Sequence, residues 1–216
     1  MKMIQGKVPL ILTALFTLSL LVIPFFTFPA LGSTGLVFPV VMVGGYLFWL
    51  FLETKVMTLK EIKKDKTVRD RGTTELYGLA RLIVVVLSLV TVSSGQVSPY
   101  RLAAGGLLFA AGVFLRLYSI RTLGVFYSHR VRLVSEHKII DFGPYRFVRH
   151  PSYAGMIMAH LGWVLCFFSI YSFLAYVFLL IPAVVMRILV EEESLFELDG
   201  YREFASRRKR LVPFLW

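Results

Sequence analysis

Six long apolar segments constrain this chain more than any other feature of its sequence. The segments are 8–28, 36–52, 76–93, 102–120, 153–170 and 172–190. Each has close to the ~20 residues that an α-helix needs to cross the hydrocarbon core of a bilayer. None alternates polar and apolar residues as the strands of a membrane barrel do, whereas a helix satisfies its backbone hydrogen bonds within one segment. The sequence therefore predicts an all-α integral membrane protein with about six helices, the last two forming a tight hairpin.

The composition excludes a soluble domain of this length. Of the 216 residues, 57% are hydrophobic and 17% are charged, which is more apolar surface than one soluble core can bury. The formal net charge of +11 would indicate nucleic-acid binding in some soluble chains. In a membrane protein, however, Lys and Arg mark the cytoplasmic loops, and no nucleic-acid-binding motif interrupts the apolar segments. We therefore expect no nucleic-acid partner.

The distribution of basic residues predicts the orientation in the membrane. Most Lys and Arg residues lie in four segments, namely 1–7, 54–75, 121–151 and 191–216. The connections between them on the opposite side carry only Arg101, so six crossings place both termini in the cytoplasm. The first apolar segment is longer than the core of a signal peptide and lacks a cleavage site, so we expect it to be retained. The short connections are typical of a compact prokaryotic protein of the inner membrane.

The stretch GPYRFVRHPSYAG, residues 143–155, brings basic side chains to the start of the fifth apolar segment. Its Gly-Pro pair predicts a turn, and its second proline suits the first position of a helix. A helix N-terminus presents free N–H groups, so Arg149 and His150 beside it favour binding of a carboxylate or phosphate. Tyr145 and Tyr153 offer ring faces to a purine or a cation. The alternative is that these residues lie at the membrane interface and contact lipid head groups.

A second polar cluster, RILVEEESLFELDGYREF over residues 187–204, follows the sixth apolar segment. Arg187 and Glu191 are four positions apart and share a helix face. The alternative is an exposed ion pair whose arginine extends to the interface. Three consecutive glutamates near a helix C-terminus oppose the helix dipole, so they are expected to lie near a cation.

Other unusual polar residues carry weaker signals. His160 should lie deep in the bilayer, where we expect a neutral imidazole bonded to a neighbouring helix. Arg116 is close enough to the end of its segment to extend to the interface. Cys166 is the single cysteine, which excludes an intrachain disulfide, and the four histidines lack metal-binding spacing, so no metal is expected. The segment 54–75 is interpreted as a polar connector without chemistry.

Several motifs in order resemble one family of membrane enzymes. They are LRLYSIRTLGVFYSHRVRLVSEHKIIDFGPYRFVRHPSYAG, an apolar hairpin, RILVEEESL and a tail ending in KRLVPFLW. Together they resemble the isoprenylcysteine carboxyl methyltransferase family and the related phospholipid methyltransferase-like enzymes. The resemblance covers residues 115–216 and is limited to hydrophobicity before that. The apolar segments predict an N-terminal transmembrane region, 1–100, with about three helices and the basic loop 54–75, and the resemblance predicts a catalytic region, 101–216.

The resemblance implies a methyltransferase that binds S-adenosylmethionine (SAM) at the cytoplasmic end of its C-terminal helices. The cofactor contacts that it implies are His137, Lys138, Ile139, Ile140, Tyr145, His150, Pro151, Ser152, Tyr153 and Glu191. Arg187 is expected to bind the methyl acceptor, with Arg132 as a further candidate, and catalysis is expected to involve Arg187, Glu191 and Glu192. The tail LDGYREF departs from one common family form, so the family motif does not fix the register of Tyr201 and Phe204.

A lipid-linked acceptor within the bilayer explains why such an enzyme is a membrane protein. A carboxylate acceptor, such as a prenylcysteine-type C-terminus, is already ionised and could form a bidentate pair with Arg187. An amine acceptor, as in a phospholipid, would need Glu191 or Glu192 to remove a proton. Two other classes stay open: an NADPH-dependent enzyme like the sterol reductases, and a non-enzymatic assembly or transport subunit. The glutamates disfavour the reductase, because its cofactor phosphate needs arginines there.

Overall fold

The structure, a computed structural model, describes residues 8–31, 36–60, 69–92, 98–127, 139–212 and 216. Within these ranges the chain is helical and contains no strand, which confirms the predicted all-α class. Its helices are α1 (Val8–Thr27), α2 (Val37–Lys60), α3 (Thr73–Val90), α4 (Pro99–Leu123), α5 (Pro151–Cys166), α6 (Ile170–Leu195) and α7 (Tyr201–Ser206).

Four of these helices are long and apolar enough to cross a bilayer, namely α1, α3, α4 with the turn that extends it to Phe126, and α6. The chain is therefore a multi-pass membrane protein. The apolar part of α2, Val37–Glu53, is shorter. The helix α5 has 16 residues and so is about 24 Å long, against a hydrocarbon core of about 30 Å. Helices lie at all six predicted positions, but the number of six crossings stays a prediction.

Glycines bring α4 and α5 into close antiparallel contact. A Cβ atom added to Gly112 on α4 would lie 2.3 Å from the backbone nitrogen of Ala159 on α5. A Cβ atom added to Gly162 on α5 would lie 2.3 Å from the backbone nitrogen of Phe109 on α4. Small residues allow membrane helices to approach to backbone contact, where van der Waals packing holds them together. This contact fixes the start of α5 beside the end of α4.

Three residues connect α5 to α6, and the connection ends in a capping box. Ser169 accepts a hydrogen bond from the backbone N–H of Ser172 at 3.1 Å, and Ser172 accepts one in return from the backbone N–H of Ser169 at 3.2 Å. Further along, α6 contains a π-helical turn, Tyr176–Leu180, which ends two residues before Pro182. Such turns accommodate a proline, which has no N–H to donate. The predicted short hairpin link is therefore present.

A chain of buried polar side chains joins α2, α3 and α5. Arg81 on α3 donates to the hydroxyl of Tyr46 on α2 at 2.7 Å, and that hydroxyl lies 2.7 Å from Nε2 of His160. The other ring nitrogen, Nδ1, lies 2.8 Å from the carbonyl of Met156 and must be the donor in that bond. Tyr46 then donates to Nε2, the pattern of a neutral imidazole. The predicted bond between His160 and a neighbouring helix is confirmed.

Arg116 on α4 takes part in a second buried cluster. Its Nε atom lies 2.5 Å from a carboxylate oxygen of Glu53 on α2, and Nη1 lies 2.7 Å from Oγ of Ser152 on α5. Glu53 also accepts a hydrogen bond from the indole of Trp49 at 3.0 Å. Arg116 is only 3% exposed, so the prediction that it extends to the interface is wrong. A carboxylate inside the bundle neutralises it and makes that extension unnecessary.

Candidate functional site

A cavity lies at the end of the bundle where α3 and α5 begin and where α4 and α6 end. The helix α7 and the segment that leads into α5 complete its wall. Both polar clusters singled out in the sequence contribute side chains, among them Tyr145 and Tyr153 from the first and Arg187 and Glu191 from the second. Residues far apart in the sequence therefore face one space.

The C-terminal tail fixes the backbone that leads into α5. The N–H groups of Arg149 and His150 donate to the carbonyls of Lys209 and Arg210 at 2.8 and 2.9 Å. Before this, Gly143 has a φ of 60°, a value that glycine adopts at little cost, and it starts the turn that buries Tyr145. The predicted Gly-Pro turn and the start of the helix at Pro151 are both confirmed.

Glu192 ties this segment to α6 and to the tail. Its carboxylate lies 2.9 Å from Nη1 of Arg149, 3.1 Å from Nε2 of His150 and 2.8 Å from Nε of Arg210. Glu192 is 2% exposed and has polar partners on both oxygens, as a buried charge requires. Glu191 lines the cavity, whereas the partners of Glu192 give that residue a structural role. The catalytic role of Glu192 stays a prediction.

The hydroxyl of Tyr153 joins Arg187 to Glu191. It accepts a hydrogen bond from Nε of Arg187 at 2.9 Å and donates one to Oε2 of Glu191 at 2.6 Å. Arg187 is 4% exposed, so the alternative of an exposed ion pair at the interface is wrong. Tyr145 and His150 are also buried, which excludes the alternative that they face lipid head groups.

Three residues that the sequence analysis did not select surround the other end of Arg187. Its Nη1 atom lies 2.8 Å from Oδ1 of Asp70, 2.8 Å from Oγ1 of Thr74 and 3.3 Å from Oγ1 of Thr73. All three belong to the part of the chain interpreted as a polar connector without chemistry, and their contacts show that the end of this connector packs against Arg187. The available signal was Arg187 itself, because a cation buried in a membrane protein requires an acidic partner.

The environment of Asp70 favours its charged form. Burial opposes ionisation, but the Arg187 guanidinium and hydrogen bonds from Thr74 and Thr73 outweigh it and hold the pKa of this carboxyl below its usual 3.8. Burial raises the pKa of the Tyr145 and Tyr201 phenols above their usual value. At neutral pH the cavity is therefore lined by Arg187, which is paired with an ionised Asp70, and by neutral phenol groups.

Three buried polar atoms at the cavity lack a hydrogen-bond partner among the described residues. They are the hydroxyls of Tyr77 and Tyr201 and the Nε atom of Arg149. Buried polar groups without a partner are rare in folded proteins. Their position on the wall of one cavity suits a polar ligand that would supply the missing partners.

The remaining predicted site residues divide into two groups. Ile139 and Ile140 line the cavity, as do Tyr201 and Phe204 of α7, whose register the family motif did not fix. The others are outside the described residues, namely His137, Lys138 and Arg132. The sequence predicted that the three adjacent glutamates lie near a cation, and two of them do. Glu192 contacts the basic side chains described above, and Glu193 lies 2.8 Å from Arg71.

Comparison with known proteins identifies relatives of the chain. Residues 105–197 match the model of the isoprenylcysteine carboxyl methyltransferase (ICMT) family. The chain is 30% identical over 146 residues to protein-S-isoprenylcysteine O-methyltransferase B of Arabidopsis thaliana, an alignment that covers 64% of this chain and 74% of that protein. It is 31% identical over 115 residues to protein-S-isoprenylcysteine O-methyltransferase of Saccharomyces cerevisiae, covering 51% of this chain and 48% of the yeast protein.

A probable protein-S-isoprenylcysteine O-methyltransferase of Oryza sativa subsp. indica is 30% identical over 115 residues, with 51% of this chain aligned to 60% of the rice protein. The chain thus spans about half to three quarters of the length of these relatives. All three are eukaryotic proteins, so they lend no support to the predicted prokaryotic inner membrane. The family match covers α5, α6 and most of α4, and it leaves out Asp70, Thr73, Thr74 and α7.

Proposed function

Because this chain belongs to the isoprenylcysteine carboxyl methyltransferase family, we propose that it transfers a methyl group from SAM to the carboxylate of a lipid-linked acceptor, a prenylcysteine-type C-terminus. One observation carries the proposal. The Tyr153 hydroxyl is hydrogen-bonded to both Arg187 and Glu191 at one cavity, although the tyrosine and the arginine are 34 positions apart in the sequence. The two family motifs thus provide a cation and a carboxylate at a single site.

The cavity wall fits the chemical groups of SAM, which are an adenine ring, a carboxylate and a sulfonium cation. Tyrosine rings suit the adenine, and the unpartnered Nε of Arg149 suits the carboxylate. The Glu191 carboxylate suits the sulfonium by charge. The buried hydroxyls of Tyr77 and Tyr201 lack a partner among the described residues and could bond to polar groups of SAM. When bound, SAM supplies a methyl group on a positively charged sulfur, and Tyr145, Arg149, Tyr153, Glu191 and Tyr201 would hold it.

The residues of the chain would then serve mainly to position the reactants. An acceptor carboxylate is ionised at neutral pH and needs no general base, and the Arg187 guanidinium would orient it by charge-assisted hydrogen bonds. Tyr153 fixes the distance between Arg187 and Glu191, since it bonds to both. Holding two reactants in line lowers the entropic part of the barrier, and the burial of Arg187 keeps water away from the charges.

Acceptor chemistry can be tested directly with a small lipid-linked carboxylate. The purified protein would be incubated with methyl-labelled SAM and N-acetyl-S-farnesylcysteine, and the matched control is the same compound with its carboxyl group amidated. We expect label only with the free carboxylate, and release of labelled methanol in alkali, because esters hydrolyse and methylated amines do not. Labelling of phosphatidylethanolamine in place of the cysteine compound would favour an amine acceptor, with Glu191 as the base to mutate.

The donor can be tested by calorimetry with S-adenosylhomocysteine, with NADPH titrated in parallel into the same detergent-purified protein. We expect heat from the first ligand alone. Binding of NADPH alone would overturn the proposal in favour of a reductase. No heat from either ligand, with a folded preparation, would favour a non-enzymatic subunit.

We also propose that both termini face the cytoplasm, on the basis of the basic loops. The single cysteine makes the test simple. In a Cys166→Ala background, Lys2→Cys and Arg207→Cys would each introduce one site for a membrane-impermeant maleimide. Labelling of both sites in inside-out vesicles, and of neither in right-side-out vesicles, is expected. Labelling of the two sites from opposite sides would mean an odd number of crossings.

A further inference from the structure

The Arg187 guanidinium is held at two separate atoms by groups from different parts of the fold. Its Nε atom donates to Tyr153 on α5 at 2.9 Å, and its Nη1 atom donates to Asp70, just before α3, at 2.8 Å. A guanidinium is planar, so two such bonds fix the orientation of its plane. Without Asp70, the described partners of Nη1 would be the neutral hydroxyls of Thr73 and Thr74, and the charged group that holds this end of the guanidinium would be lost.

Asp70 is itself held in place by the start of α3. Its Oδ1 atom accepts a hydrogen bond from the Thr73 hydroxyl at 3.0 Å, and its Oδ2 atom accepts one from the backbone N–H of Thr74 at 3.1 Å. Both carboxylate oxygens are therefore in use, one of them shared with Arg187. The backbone carbonyl of Asp70 also accepts from the N–H of Thr73 at 2.9 Å. The first residues of α3 therefore hold the Asp70 carboxylate at both of its oxygens.

Neighbouring residues attach the same loop to the end of α6. Arg69 forms an exposed ion pair with Glu197, and Arg71 forms one with Glu193 at 2.8 Å. These pairs lie on either side of Asp70 in the sequence and involve side chains that are about half or more exposed. They connect the loop to α6 through residues other than Arg187. Attachment of the loop can therefore be tested separately from the contact between Asp70 and Arg187.

From this arrangement we propose that Asp70 is a positioning residue of the active site, which fixes the plane of Arg187 for the acceptor carboxylate. The inference rests on the proposed function of Arg187. It implies that the region 101–216 is an incomplete catalytic unit, because a residue outside it and outside the family match orients the acceptor-binding arginine. The predicted division at residue 100 is then no boundary between a catalytic and a non-catalytic part.

The test compares Asp70→Asn with the wild type. An amide has a single oxygen, so it cannot accept from both Arg187 and the Thr74 N–H as the carboxylate does. Turnover of N-acetyl-S-farnesylcysteine would be expressed per site, with sites counted by the stoichiometry of S-adenosylhomocysteine binding. We expect kcat per site to fall about 10-fold while KM for the acceptor stays within about 2-fold, because alignment is lost and the positive charge of Arg187 is kept.

Two matched controls separate positioning from support of the fold. Arg69→Gln removes a bond between the same loop and the segment after α6, and it should leave kcat per site unchanged. In an Arg187→Lys background, Asp70→Asn should lower kcat by less than about 2-fold, because a residue that acts through Arg187 has little left to orient. A loss of the same size in both backgrounds would overturn the inference, as would an equal loss in Arg69→Gln.

A stability measurement provides a second readout that needs no activity. In Arg187→Met the Asp70 carboxylate loses its buried cation, so adding Asp70→Asn should raise Tm, although Asp70→Asn alone lowers it. Equal Tm losses in both backgrounds would contradict the coupling. Absence of methyl transfer by the wild type would overturn the proposed function and this inference with it. Full turnover per site by both the wild type and Asp70→Asn would overturn the inference alone.

Discussion

Glu53 on α2 and Arg116 on α4 form a hydrogen-bonded ion pair inside the helical bundle, with 2.5 Å between Oε1 and Nε. Arg81 on α3 lies 3.6 Å from the other carboxylate oxygen. One carboxylate thus serves two buried arginines from different helices. Arg116 also lines the cavity and bonds to Ser152 at the start of α5. This ion pair therefore holds a residue of the cavity wall in place.

Removing the shared carboxylate should destabilise the fold. Glu53→Gln leaves two arginines without a buried anion, and loss of one partner of a buried pair costs about 3–5 kcal/mol. A thermal unfolding curve in detergent should show a clear fall in Tm. The control is Glu203→Gln, which breaks the exposed pair with Arg207 and should change Tm little. Equal shifts in the two variants would show that Glu53 contributes no more than a surface charge.

Helix contact through glycine should be equally sensitive to one methyl group. Gly112→Ala forces a Cβ atom against the backbone of Ala159, and such overpacking costs about 1–3 kcal/mol. Gly44→Ala is the matched control, since a Cβ atom there meets nothing within 4 Å, and alanine favours the helix. We expect Tm to fall in the first variant and to hold or rise in the second. Unchanged Tm in Gly112→Ala would mean that α4 and α5 can separate without loss.

The hydroxyl of Tyr153 should matter to turnover more than to folding. Tyr153→Phe removes the bond from Arg187 and the bond to Glu191, and we expect kcat to fall about 10- to 100-fold. Tyr176→Phe, which removes a hydroxyl bond to the Ile157 carbonyl, tests the loss of a buried hydroxyl elsewhere and should retain turnover. The measurement is the initial rate of methyl transfer at saturating donor. Full activity of Tyr153→Phe would remove the hydroxyl from the mechanism.

His150 should contribute to donor binding. His150→Ala removes a cavity-lining side chain that also bonds to Glu192, and we expect the Kd of S-adenosylhomocysteine to rise about 10-fold, a loss of about 1.4 kcal/mol. Arg210→Gln removes another partner of the same carboxylate and tests whether the effect passes through Glu192. If both variants bind equally weakly, His150 acts through Glu192. Unchanged affinity in His150→Ala would exclude it from the site.

The Asp70–Arg187 pair should make stability depend on acid pH. Because the pKa of folded Asp70 is held below 3.8, its contribution is complete above that value and is lost as the pH falls through the lower folded value. The Tm difference between the wild type and Asp70→Asn should therefore be constant at neutral pH and shrink below about pH 4. Arg187 stays protonated throughout this range. A difference that persists undiminished in acid would indicate that the charge of Asp70 is irrelevant to stability.

Much of the fold could be predicted because the bilayer imposes a simple rule on segment length. The helices lie at the six apolar segments, and Pro151 begins α5, a position that suits a proline. The bonded state of His160 followed from the cost of a charge in lipid. The orientation in the membrane stays a prediction that depends on the distribution of charge. The number of crossings stays a prediction that depends on the lengths of α2 and α5.

The pairing of charges between helices could not be predicted from the pattern along the chain. Asp70 and Arg187 are 117 residues apart, and no periodicity relates them. Adjacent glutamates differ by about 100° around a helix, so Glu191 reaches the cavity, Glu192 reaches Arg149 and Arg210, and Glu193 reaches the exposed Arg71. Glu53 follows directly on an apolar segment, and only its partner on α4 reveals its importance.

The shared Glu53 carboxylate also bears on how the chain enters a membrane during synthesis. The order along the sequence is Glu53, then Arg81, then Arg116, so the acid is made before either base. If α2 inserts first, each arginine would reach the bilayer when a counter-charge is already there, and neither helix would have to insert as an isolated cation. If this acid stood on a later helix, the folded protein could keep the same contacts. The nascent chain, however, would then have to insert two uncompensated charges.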